Sequence, residues 1–134
     1  MIYLVIGLAG VVGSVLRYIA GEGIKLHWMT PFPIDTLLIN LSGSFLLGML
    51  YYYLTCSRLS PLWYKAIGTG LLGSFTTFSA FSMETVVLLQ QGLEMLALLY
   101  FMTSLWGGLL LSSLGYYSVQ HRWYRLPLKG KKPL

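Results

Sequence analysis

Four apolar runs, roughly 2–20, 36–55, 66–89 and 95–118, take up most of this 134-residue chain. Each is close to the ~20 residues that a helix needs to cross the hydrocarbon core of a bilayer. The residues between them are too few for a soluble catalytic domain. Composition agrees: 10% of residues are charged and 56% hydrophobic, where a soluble domain carries about a quarter charged residues. The fold class implied is an all-α membrane protein of four transmembrane helices. The spacing divides it into a four-helix transmembrane domain over 1–120 and a basic tail over 121–134.

Other classes fall away on the residues themselves. The first run has no basic residue ahead of it and carries Arg17 near its end, which does not fit a cleavable signal peptide. Cys56 is the single cysteine, so no internal disulfide forms. His27 and His121 lie far apart without cysteine partners, and no nucleophile–base spacing stands out, so neither a metal cluster nor an enzyme is expected. Arg122, Arg125, Lys129, Lys131 and Lys132 crowd the last thirteen positions just past the fourth helix. That is the usual place for topology-setting charge and contact with anionic lipid heads, and no nucleic acid is expected.

The connections are 21–35, with Pro31 and Pro33, then 56–65, with Pro61, and 90–94. Aromatics gather where interfaces should lie: Trp28, Tyr51 to Tyr53, Trp63, Tyr64, Tyr116, Tyr117, Trp123 and Tyr124. Four crossings put both termini on one side with the second loop. That side holds Arg58, Lys65 and the five tail residues, against Lys25 and the embedded Arg17, so both termini are predicted to be cytoplasmic in a multi-pass protein of the inner or plasma membrane.

Within the third run, Gly73-Ser74-Phe75-Thr76-Thr77-Phe78-Ser79-Ala80-Phe81-Ser82 is crowded with hydroxyl and aromatic side chains. Hydrocarbon offers hydroxyls no partners, and polar, glycine-interrupted backbone is tolerated at that depth where it lines a cavity or binds an ion. Thr36, Asn40 and Ser44 share a face of helix two in its outer half. Glu84 lies past the centre of helix three, and Tyr100, Thr103 and Ser104 lie in the outer half of helix four. Most embedded polar groups thus sit in one leaflet, and an inverted second copy would supply the other half of a pathway. Gly7, Gly10, Gly13, Gly43, Gly48, Gly68 and Gly70 read as close-packing positions.

Phe78 and Phe81 stand three apart on one face, and the electropositive edges of aromatic rings meet an anion without a formal charge. Asn40, Tyr100 and Ser104 add neutral donors. With no cation at mid-membrane, an anion would be held weakly, as rapid conduction requires. Taken singly, a Phe pair is ordinarily packing and an intramembrane Asn ordinarily joins helices; the joint placement favours a pathway. Arg17 either snorkels to the head groups or attracts anions. Glu84 is protonated, pairs with Arg17, or accepts hydrogen bonds at a vestibule.

Gly10-Val11-Val12-Gly13-Ser14-Val15-Leu16-Arg17-Tyr18 resembles the first helix of the Fluc/CrcB fluoride channels. Leu38-Ile39-Asn40-Leu41-Ser42-Gly43-Ser44-Phe45 resembles their second-helix Asn motif. The third-helix signature is matched from Gly70 through Glu84. The resemblance implies a passive, fluoride-selective channel that exports fluoride and relieves its toxicity. It would be an antiparallel dimer with two narrow pores and a third helix broken at mid-membrane. It makes Phe78 and Phe81 the aromatic box, Asn40 the pore amide, and Thr36, Tyr100 and Ser104 a polar track, with Thr77 beside them. A structural Na+ at the dimer interface would be held by the backbone carbonyls of Gly73 and Thr76. Ser74 and Ala80 depart from the usual pattern, and the charge bias, larger than expected of a dual-topology protein, fits one half of a fixed-orientation heterodimer with a paralogous subunit, whereas the presence of every pore element in this one chain favours a homodimer. The alternative from another class is a small proton-coupled multidrug exporter, also an antiparallel dimer, using Glu84.

Overall fold

In the computed structural model, backbone is described for residues 1–28, 30–56 and 61–125, and side chains for 1–28, 30–53 and 62–121. Arg58, Lys129, Lys131 and Lys132, and the side chains of Cys56, Arg122, Trp123, Tyr124 and Arg125, lie outside these. Helix α1 spans Ile2–Lys25, α2 Ile34–Cys56, and α6 Glu94–Arg125. The third crossing is composite. It consists of a short α3 (Pro61–Tyr64), a π-helical stretch (Lys65–Leu72), α4 (Gly73–Phe75) and, after two extended residues, α5 (Phe78–Gln90). Among the described residues four helical segments, Ile2–Lys25, Ile34–Tyr53, Leu62–Gln90 and Glu94–His121, are long and apolar enough to cross a membrane.

Two boundaries differ from those read in the sequence. The first connection does not begin at Gly21: α1 continues to Lys25, where Glu22 and Lys25 are good helix formers. There Lys25 Nζ lies 4.0 Å from Glu22 and 3.5 Å from Asp35 of α2. At the other end, α6 runs unbroken past position 120 to Arg125. At ~1.5 Å per residue its 32 residues exceed the ~30 Å hydrocarbon thickness, so its end projects beyond the bilayer.

Helices meet along two seams, α2 with α6 and α1 with the π-helical stretch and α4. Lipid tails are as apolar as leucine, so these seams depend on close approach rather than on water exclusion. A Cβ on Gly48 would run into the Ser112 backbone, one on Gly115 into Phe45, and one on Gly13 into the Leu71 carbonyl. Residues level with one another step together in fours along α2 and α6. Ser44 lies beside Gly108, Gly48 beside Ser112, and Tyr52 edge-on to Tyr116 at 5.0 Å. The two helices therefore run parallel. Gly92, at φ +73°, makes the tight turn between α5 and α6, a conformation that glycine adopts at no steric cost.

Candidate functional site

The break in the third crossing falls on Thr76 (φ −78°, ψ 153°) and Thr77 (φ −142°, ψ 123°). Two extended residues at this depth expose backbone groups that lipid cannot satisfy. The chain meets that need from α2. Asn40 Nδ2 donates to the Thr77 carbonyl at 2.9 Å, and the Thr77 N–H donates to Asn40 Oδ1 at 2.8 Å. Thr77 then caps α5, its hydroxyl accepting from the Ala80 N–H at 3.2 Å. Gly43, one turn along α2 from Asn40, leaves space that the Thr76 side chain occupies.

These bonds redirect two donors. In an unbroken helix the Thr77 N–H would serve the Gly73 carbonyl, and the Ala80 N–H the Thr76 carbonyl. Asn40 takes the first and the Thr77 hydroxyl the second. Gly73 and Thr76 are thus two of the four residues, with Ser74 and Phe75, whose carbonyls lose their helical donors at the break.

A second constellation lies one turn toward the start of α2. Thr36 Oγ1 donates to Glu84 Oε1 at 2.7 Å and the Tyr100 hydroxyl donates to Glu84 Oε2 at 2.8 Å. The carboxyl thus bridges α2, α5 and α6, each oxygen accepting one hydroxyl. Thr36 is buried and Tyr100 fully so. Glu84 accepts hydrogen bonds from two helices, and among the described residues it makes no ion pair with Arg17. Arg17 Nε is buried with no hydrogen-bond partner among the described residues.

From Tyr100 a line of rings leads outward. Phe81 packs against Tyr100 at 5.1 Å between centroids, and Phe78 follows Phe81 at 5.9 Å. Phe78 is 79% exposed on the chain's surface, whereas Phe81 is half-buried. The two aromatics are therefore neighbours, as their spacing predicts, but face different surroundings.

Most other embedded hydroxyls turn back onto their own helix. Ser44 bonds the Asn40 carbonyl, Ser82 the Phe78 carbonyl, Thr85 the Phe81 carbonyl and Thr103 the Leu99 carbonyl, which is the ordinary way for such residues to be satisfied in a helix. Ser44 thus shares a face with Asn40 and Thr36 without reaching another element. Ser104 is the contrast: its Oγ is buried and has no partner among the described residues. The step of fours along α2 and α6 places it level with Asn40.

Sequence reading missed the Phe32 ring, which stands edge-on to Tyr100 at 5.6 Å, and Phe101, 6.2 Å from Phe81. The flanking Pro31 and Pro33 were the available signal for Phe32.

Residues 4–116 match the family model described as "CrcB-like protein, Camphor Resistance (CrcB)". The chain is 47% identical over 117 residues to "Fluoride-specific ion channel FluC 1" of Bacillus thuringiensis subsp. konkukian (strain 97-27), covering 87% of this chain and 85% of that one. It is 43% identical over 121 residues to "Fluoride-specific ion channel FluC 2" of Geobacillus kaustophilus (strain HTA426), covering 90% and 94%. It is 50% identical over 105 residues to "Fluoride-specific ion channel FluC 1" of Desulfitobacterium hafniense (strain Y51), covering 78% and 90%. With its four long apolar helices it is a multi-pass membrane protein, and it belongs to the CrcB family.

Proposed function

We propose that this chain is one half of a passive, fluoride-selective channel of the cell membrane, and not an enzyme. The observation that carries the reading is the continuous line from the Thr36–Glu84–Tyr100 bridge through Phe81 to Phe78. Buried hydroxyls give way to rings whose edges are electropositive, with no cation along the line. Asn40 spends one amide hydrogen on Thr77 and keeps the other, and Ser104 is level with it and unpartnered. A buried hydroxyl without a partner is costly unless a ligand uses it. Neutral donors and ring edges would replace the water around a small anion without trapping it.

The antiparallel homodimer belongs to the same proposal. Phe78 projects from the chain and the polar groups crowd one half of its length, so an inverted copy would complete the route and cover the ring. The Gly73 and Thr76 carbonyls, released from their helical donors, suit a Na+ ion at the dimer interface, where it would neutralise converging dipoles and fix the two breaks against each other. A wide aromatic chamber around an accessible carboxyl, which a drug exporter needs, is not what surrounds Glu84: both its oxygens are engaged by hydroxyls, one of them on the fully buried Tyr100.

Purified protein in fluoride-loaded liposomes tests the reading, with chloride as control. Fast, proton-independent fluoride efflux and negligible chloride efflux are expected. Equal flux of both anions, or flux only under a proton gradient, would overturn it.

A further inference from the structure

We propose that Phe32 is a positioning residue for this route: it holds the Tyr100 ring and seals the Thr36–Glu84–Tyr100 bridge from an outer water-filled cavity. The proposal rests on the pathway reading above.

Phe32 lies in the connection between α1 and α2, a stretch expected to be mobile, yet it is fixed from several sides. Prolines on either side restrict the backbone, Pro31 and Pro33 by their rings and Pro33 also by limiting the residue before it. Its carbonyl accepts the Ile34 N–H at 2.8 Å and the Thr30 hydroxyl at 3.0 Å. Its ring packs into the cluster of Leu88, Ala97 and Tyr100 and meets Tyr100 edge-on, at an interplanar angle of 78°. The edge-on arrangement is the favoured geometry for such a pair and fixes ring orientation as well as distance.

On its outer side the same residue lines a cavity of about 310 Å³, whose polar walls are Lys25, Thr30 and Asp35. Ile24, Trp28 and Ile34 complete its lining; Lys25 and Trp28 are exposed, so the cavity opens outward and water enters beside its polar groups. Phe32 therefore stands between that cavity and the fully buried Tyr100. Water reaching the bridge would compete for both Glu84 oxygens, and hydrogen bonds hold their strength best where water is excluded. The Tyr100 ring is also the ring on which Phe81 packs. A shift there is passed to the aromatic pair that would contact the anion.

The test is a double-mutant cycle in fluoride efflux from liposomes, using the full chain. Phe32→Ala should slow efflux about three- to tenfold, which is what losing one edge-to-face ring contact amounts to in a barrier. Phe32→Leu, which refills most of the volume, should recover most of it. In a Tyr100→Phe background, where the hydroxyl that Phe32 protects is gone, Phe32→Ala should add less than about twofold, the sign of two residues acting through one element. Additive losses, or wild-type efflux from Phe32→Ala, would overturn the role of Phe32 while leaving the pathway standing. Wild-type efflux from Tyr100→Phe would overturn the pathway and this proposal together. If Phe32→Ala does not purify as a monodisperse protein, Phe32→Val takes its place in the cycle.

Discussion

Asn40 serves Thr77 as a neighbouring strand would, donating to its carbonyl at 2.9 Å and accepting from its N–H at 2.8 Å. One side-chain amide thereby satisfies both backbone groups of a residue that has left the helix inside a membrane span. Asn40→Asp keeps the acceptor and loses the donor, setting a carboxylate against the Thr77 carbonyl. Leaving a buried carbonyl unpaired costs ~1–3 kcal/mol. The variant should lose at least about tenfold in fluoride efflux and unfold at lower denaturant concentration. Wild-type efflux would mean that Asn40 only joins helices.

The two rings of the aromatic pair should separate in their effects. Phe78→Ile removes a ring that is 79% exposed within the chain, so efflux should fall without loss of stability in the isolated fold. Phe81→Ile removes contacts to Tyr100 and Phe101 and should lower both efflux and stability, the latter by ~1 kcal/mol. Efflux assays paired with thermal unfolding check this. Unchanged efflux in both variants would remove the rings from the route.

Thr36 and Tyr100 converge on one carboxyl, so their effects should not add. Thr36→Val and Tyr100→Phe each strip one hydrogen bond from Glu84 and should each slow efflux by up to about tenfold, in line with the ~0.5–1.5 kcal/mol of a single hydrogen bond. Together they should cost clearly less than a hundredfold in efflux, because groups in one network are coupled.

Packing predictions can be read at single glycines. A Cβ at position 13 meets the Leu71 carbonyl, whereas one at position 23 meets nothing within 4 Å. Gly13→Ala should destabilise the protein by ~1–3 kcal/mol through overpacking. Gly23→Ala should leave it unchanged or slightly more stable, since alanine favours a helix over glycine. Denaturant unfolding in detergent separates the two.

Orientation is measurable at Lys25, whose side chain is 61% exposed. In a Cys56→Ser background, an impermeant reagent should label Lys25→Cys in about half of the copies if the chain inserts both ways, against nearly all if basic residues fix it. Uniform labelling with activity from this chain alone would exclude the antiparallel homodimer.

The helices were legible in the sequence because apolar length decides them, and the break because Thr76-Thr77 follows Gly73 within a span. What each polar residue does there was not legible. Thr36, Asn40 and Ser44 present the same i, i+4, i+8 pattern, yet Thr36 reaches Glu84, Asn40 reaches Thr77 and Ser44 bonds its own helix. The difference depends on which residues α5 and α6 bring opposite, and contacts 37 or 48 positions apart leave no local trace. Glu84 could be read three ways for the same reason. The extension of α1 to Lys25 was missed because the helix was bounded by its apolar run, which ends before the helix does.

The clamp on Thr77 also has an order in time. Asn40 is made before the segment it serves, and α2 is complete when the third run leaves the ribosome. Had the clamp come from α6, two extended residues would have entered hydrocarbon with nothing to receive them. The broken backbone of the third span is therefore acceptable to lipid as it arrives, given only what has already been inserted, whereas Glu84 of the same span waits for Tyr100 of α6.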